Sequence, residues 1–140
     1  MKFIDSNVLI YVADDTDVGK QHVARNIICD AISSNGFVVS AQVINEFCAV
    51  SLRKLLKTSD EVEGFLAVFE RIQTVPVNPV WSRRAIEIRE RYNLQFYDSL
   101  IVAAAEASEC DEILTEDLND GQLYCGIKAV NPFKNCGDIS

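Results

Sequence analysis

The sequence predicts an α/β fold, a three-layer α/β/α sandwich on a central, mostly parallel sheet. Two patterns carry that prediction. Short apolar runs alternate with longer segments of helical periodicity, as strands joined by crossover helices do. The runs 37–39 and 127–130 are mostly apolar, as in strands covered on both faces. A third observation sets the scale. The chain has 140 residues, 49% hydrophobic and 24% charged, which is enough to bury a core and form one domain over 1–140. No linker, internal repeat or low-complexity stretch interrupts it.

The elements follow in order. Residues 1–4 form a short strand that ends at Asp5, with a turn through Ser6 and Asn7 into a short helix over 8–12. Val18–Ser33 is an amphipathic helix, stopped by Ser34, Asn35 and Gly36. Residues 37–39 make a buried strand. Ser40 stands where an N-cap belongs, ahead of helical periodicity over 41–57. Thr58 with Glu61 is a capping-box pattern for a helix over 60–72. Residues 74–77 are strand-like. Asn78 and Pro79 pair an N-cap with a proline at the first helical position, opening a helix to Tyr92. The next helix starts near Tyr97 and Asp98 and runs to Glu109. Residues 112–115 are a strand, 116–121 a polar loop, and Ile127–Val130 the last strand.

Charge narrows the function. Thirteen Lys and Arg against 21 Asp and Glu give a net charge of −8. Such a chain is no general polycation for nucleic acid. To act on a polyanion it needs a local basic surface, a metal ion, or both. A single histidine, His22, excludes paired imidazole catalysis and a multi-histidine metal site; it reads as a surface helix residue. The cysteines (Cys29, Cys48, Cys110, Cys125 and Cys136) have no CxxC spacing, so they read as small core residues. There is no signal-peptide layout and no apolar run long enough to span a membrane. The expected setting is the reducing cytoplasm.

In sheets of this kind, ligands bind beyond the carboxyl ends of the strands. Asp5 follows the first strand, Asp98 opens a helix, and Glu116 and Asp117 follow the strand at 112–115. Glu46 lies three residues after Val43 and four before Val50, at the edge of an apolar stripe. Each acid alone has a plain structural reading: an Asx-turn for Asp5, an N-cap for Asp98, a snorkelling Glu46, a loop acid at Asp117. Together they make a different pattern. Carboxylates converging at one sheet edge repel and raise each other's pKa unless a cation sits among them. Oxygen-only ligands favour Mg²⁺ or Mn²⁺ over zinc. Such an ion activates water without a histidine base and offsets charge on phosphate oxygens.

These acids also carry a resemblance. Residues 3–11, Phe-Ile-Asp-Ser-Asn-Val-Leu-Ile-Tyr, resemble the opening of a PIN domain. Val43-Ile44-Asn45-Glu46-Phe47 is similar to that family's second motif, a Glu on a helix. Residues 96–105, from Phe-Tyr-Asp into an Ala-rich helix, resemble the third. Leu114-Thr115-Glu116-Asp117-Leu118 resembles the fourth. The blocks occur in the family's order and span 3–118. In length and layout the chain looks like the VapC-like toxins of toxin–antitoxin pairs. That resemblance implies a Mg²⁺-dependent endoribonuclease leaving 5′-phosphate and 3′-hydroxyl ends, neutralised by an antitoxin protein and forming a homodimer. It implies metal-binding roles for Asp5, Glu46, Asp98 and Asp117, supported by Asn7 and Thr115. Glu116 and Asp120 stay open as alternatives or additions to Asp117.

Other surfaces keep two readings. Arg53, Lys54 and Lys57 suit RNA phosphates or simply the dipole of a helix C-terminus, and Arg83, Arg84, Arg89 and Arg91 suit RNA phosphates or a salt-bridged solvated face with Glu87 and Glu90. Trp81, Phe96 and Tyr97 suit base stacking or, more simply, core or interface anchors. The stripe Val62, Phe65, Leu66 and Phe69 is plain core, or an antitoxin or subunit contact where exposed. A rival class is a phospho-acceptor receiver-like domain using Asp14, Asp15 and Lys128. A second rival is a relative of the PIN family that binds RNA or protein without cutting.

Overall fold

The structure is a computed structural model that describes residues 1–136; the last four positions of the expected 1–140 unit lie outside the described residues. Among the described residues the elements are β1 (Lys2–Ile4), α1 (Ser6–Ala13), α2 (Val18–Ser33), β2 (Phe37–Ser40), α3 (Ala41–Arg53), α4 (Ser59–Phe69), β3 (Gln73–Val75), α5 (Pro79–Tyr92), α6 (Phe96–Ala107), β4 (Glu112–Leu114), β5 (Leu123–Tyr124) and β6 (Ile127–Val130). They build the expected three-layer sandwich.

The sheet order is β3-β2-β1-β4-β6-β5. All pairings are parallel except β5 with β6. The chain steps outward from β1 to β2 to β3, then jumps back across β1 to β4. Right-handed crossovers therefore set the helices before β3 on one face and α5 and α6 on the other. In keeping with this, α1 packs on α2 and α3, while α5 packs on α6. The central strands carry the core: Phe3, Ile4, Val38, Val39 and Ile113 have no exposed surface. Phe47 on α3 meets Phe69 of α4 edge-on at 4.9 Å between ring centres. No described helix is long and apolar enough to cross a membrane.

Four local features differ from expectation. No turn separates β1 from α1, because the Asp5 carboxylate accepts from Ser6 N at 2.7 Å and caps the helix directly. Helix α3 stops at Arg53 rather than 57. Lys57 N donates back to Ser51 O at 3.0 Å and Leu56 takes a left-handed φ of 55°. The stop uses a left-handed leucine where glycine is usual, so composition does not announce it. Helix α6 begins at Phe96 with Gln95 as its N-cap, so Asp98 lies in the first turn and is not the cap. Finally, β5 is a two-residue strand turned by Cys125 and Gly126, both at positive φ.

Candidate active site

The jump across β1 makes β1 and β4 the place where the strand order reverses, and the crevice beyond their carboxyl ends is where such sheets bind ligands. Asp5 leaves β1 there and Thr115 leaves β4. Asp5 N donates to Leu114 O at 3.1 Å, fastening the two strand ends together. Thr115, fully buried, is the hub. Its hydroxyl donates to Asp5 Oδ2 at 2.8 Å and accepts from Asn7 Nδ2 at 3.1 Å and Asp117 N at 3.0 Å. Asn7, in the first turn of α1, also donates to Asp117 Oδ2 at 3.1 Å. One residue of α1 and one threonine thus orient two carboxylates.

The other two acids come from helices. Ser40 caps α3 by accepting from Val43 N, which starts the helix at the end of β2 and puts Glu46 in its second turn. Gln42, four residues earlier on the same face, donates to Glu46 Oε1 at 2.8 Å. Asp98, in the first turn of α6, is half-buried.

The electrostatics tie the halves together. Asp5 is 3% exposed, and burial, reinforced by the charges of Asp117 and Glu46, pushes its pKa up to about 7 against the hydrogen bonds from Thr115 and Ser6. Burial raises Asp98 as well, again with the charges of Asp117 and Glu46. So Glu46 and Asp117 lie near enough for their charges to act on both other acids. Among the described residues none of the four forms an ion pair with a lysine, arginine or the N-terminus.

A family model described as the PIN domain matches residues 2–119. The chain belongs to the PIN domain family. Solved structures similar to this PIN domain include a toxin–antitoxin complex from Klebsiella pneumoniae (TM-score 0.71, 16% identity, covering 94% of this chain and 98% of that one). Another is VapBC2 from Rickettsia felis bound to a DNA fragment from its promoter (TM-score 0.67, 15% identity, 93% and 97% covered). A third is VapC20 of Mycobacterium tuberculosis, a toxin that cleaves the sarcin–ricin loop (TM-score 0.66, 13% identity, 84% and 90% covered). At these identities the likeness is one of fold. Sequence comparison with curated proteins gives no significant match.

Within this PIN fold the competing acids are engaged elsewhere. Glu116 accepts from Tyr11 Oη at 2.6 Å and from Lys20 Nζ at 3.0 Å. Asp120 accepts from Asn131 N at 2.8 Å and Lys134 Nζ at 3.2 Å. The receiver-like set is scattered: Asp14 caps the end of α1, Asp15 pairs with Lys57, and Lys128 is exposed on β6. Of the basic groups, Arg84 is held by Glu106 and Glu87, and Arg89 by Glu90, which fits the salt-bridged reading. His22 is exposed, as expected, and so is Cys29; only Cys110 of the cysteines is buried. Tyr97 is exposed rather than core. Sequence reading passed over Gln42 and the Tyr11–Lys20 pair. The i to i+4 spacing of Gln42 and Glu46 signals the first; nothing local signals the second, whose partner is about a hundred residues away.

Proposed function

We propose that this chain is a divalent-metal-dependent endoribonuclease acting in the cytoplasm, the toxin of a toxin–antitoxin pair, with Asp5, Glu46, Asp98 and Asp117 holding Mg²⁺ or Mn²⁺. One observation carries the reading: the charges of Glu46 and Asp117 act on both Asp5 and Asp98, so four acids from four separate segments gather near the β1–β4 crevice, and among the described residues none of them is paired with a basic side chain. Uncompensated like charges in a part-buried setting are costly. Among the described residues no three such side chains already stand close enough to hold an ion. The donor chemistry nevertheless fits a hard cation, because all the ligands are carboxylate oxygens. When bound, the ion supplies Lewis-acid polarisation of the phosphate and an activated water.

The chain's own residues do the rest. Thr115 and Ser6 N fix both oxygens of Asp5, Asn7 fixes Asp117, and Gln42 steadies Glu46. The Lys20–Tyr11 clamp engages Glu116, which supports Asp117 as the fourth acid. The similar structures, a toxin and two toxin–antitoxin complexes, support the toxin role and an antitoxin as partner. A homodimer is part of the proposal.

The test is cleavage of a mixed RNA pool with Mg²⁺, comparing wild type with Asp98→Asn prepared identically. Cleavage by wild type alone, abolished by EDTA, is the expected result. Equal cleavage by both, or metal binding with no cleavage of any RNA, contradicts it; the second outcome points to a non-cutting binder.

A further inference from the structure

Beside the acids lies an open cleft of about 570 Å³ whose walls include Gln42, Asn45, Glu46, Val77, Tyr97 and Leu100. Its size falls in the range of roughly 300–1,000 Å³ seen for small-ligand sites. Helix α3 forms one wall and the start of α6 the other. Glu46 belongs both to this cleft and to the acid site, and Tyr97 directly precedes Asp98.

We infer that this cleft receives a nucleobase of the single-stranded RNA next to the phosphate being cut, with Tyr97 as the stacking face and Asn45 and Gln42 as the groups that read its edge. The inference rests on the nuclease reading above and names the substrate feature that reading leaves open.

Three observations favour a base over other occupants. First, Tyr97 is 67% exposed, an aromatic ring turned to solvent at the mouth of a largely apolar cleft. Aromatic faces of this kind hold single-stranded bases by stacking. Second, the charge of the cleft disfavours an anion. Among the described residues its only charged wall residue is Glu46, so a phosphate entering without a cation is repelled, whereas an uncharged heterocycle is not. Third, the polar groups are amides. Exposed Asn45 offers a donor and an acceptor. Gln42 spends one N–H on Glu46 and keeps its carbonyl oxygen for the cleft. Because Gln42 touches both the cleft and Glu46, a base bound there also steadies an acid of the site. Gln42 is thus a positioning residue, and Tyr97 and Asn45 set affinity and base choice.

The experiment uses the full chain with Mg²⁺ in two arms. One arm is cleavage of a randomised single-stranded RNA pool with the cut ends sequenced. The other is quenching of a 2-aminopurine-labelled deoxyhexanucleotide. Wild type is expected to show a base bias at a position flanking the cut and to quench the probe. Tyr97→Ala is expected to raise KM by about five- to a hundredfold, the span of one lost stacked base, and to lose the quenching. Tyr97→Phe restores both, which separates stacking from a folding defect, and Asn45→Asp shifts the bias. Cleavage with wild-type KM, bias and quenching in Tyr97→Ala overturns the pocket while the nuclease reading stands. Quenching that depends on Tyr97 without any cleavage supports the pocket and counts against the nuclease. Neither cleavage nor quenching by wild type overturns both. A dimer in wild type that Tyr97→Ala splits means a second copy covers the cleft, and that also overturns the pocket.

Discussion

The two halves of the acid site are built differently. The sheet half, Asp5 and Asp117, is wired through Thr115 and Asn7 into a continuous hydrogen-bonded network at the β1–β4 edge. The helix half, Glu46 and Asp98, is half-buried and stands on α3 and α6, with a single side-chain partner, Gln42, on Glu46. The difference teaches a division of labour. The sheet edge supplies rigid, oriented oxygens, and the helix acids complete the set from walls that also form the open cleft. If this is right, damage to either half removes activity, and damage to the sheet half has the larger effect on the fold's stability and its pH dependence.

The largest effects are expected from the acids themselves. Asp5→Asn and Asp98→Asn should each lower cleavage by more than about a hundredfold, beyond the usual loss from removing an outer partner. Thermal melts should separate them, with Asp98→Asn leaving stability near wild type. Next comes the hub. Thr115→Val breaks one donated and two accepted bonds in a buried place. It should cost about ten- to a hundredfold in Mn²⁺ affinity and about 1–3 kcal/mol of stability by denaturant titration. Gln42→Ala, touching only the helix half, should cost less in both.

The pH dependence sharpens the contrast further. The folded pKa of Asp5 is raised from 3.8 to about 7, so the folded state binds its proton more tightly than the unfolded chain. That contribution is fully present below the unfolded value and is lost as pH rises through the folded one. Without metal, the melting temperature should therefore fall between about pH 4 and pH 7, by an amount equivalent to at most a few kcal/mol. Asp5→Asn should flatten this slope, and Mn²⁺ should raise the melting temperature more at pH 8 than at pH 5. The smallest effect is expected from Lys20→Met. It frees Glu116 from its clamp and should cost about 1 kcal/mol or less, as part-exposed ion pairs do, with Mn²⁺ affinity unchanged. A marked change in affinity would mean that Glu116 reaches the ion.

Much of this was legible before any coordinates, for physical reasons that can be traced residue by residue. Asp5, Thr115 and Asp117 sit at strand ends, and apolar runs mark those ends clearly. The Thr58–Glu61 capping box and the Ser40 and Asn78 caps act within a few residues, so local sequence reports them. Features set by distant partners were not legible. The Glu116 clamp depends on Tyr11 and Lys20, which only the fold brings to it. The α3 stop relies on Leu56 accepting a left-handed φ that composition gives no reason to expect. Strand β5 is two residues long, below any periodic signal. Tyr97 reads as a core or interface anchor by type, and only the packing of α6 reveals that its ring is exposed.

The central claim is that the two halves share one metal ion, and Mn²⁺ titration followed by calorimetry tests it most directly. Wild type, Asp5→Asn and Asp98→Asn are compared at one pH, with folding checked by melts. The account predicts that each substitution, one in each half, weakens the same binding event by more than about tenfold. Wild-type affinity in Asp98→Asn would contradict it, because the helix half would then play no part in holding the ion.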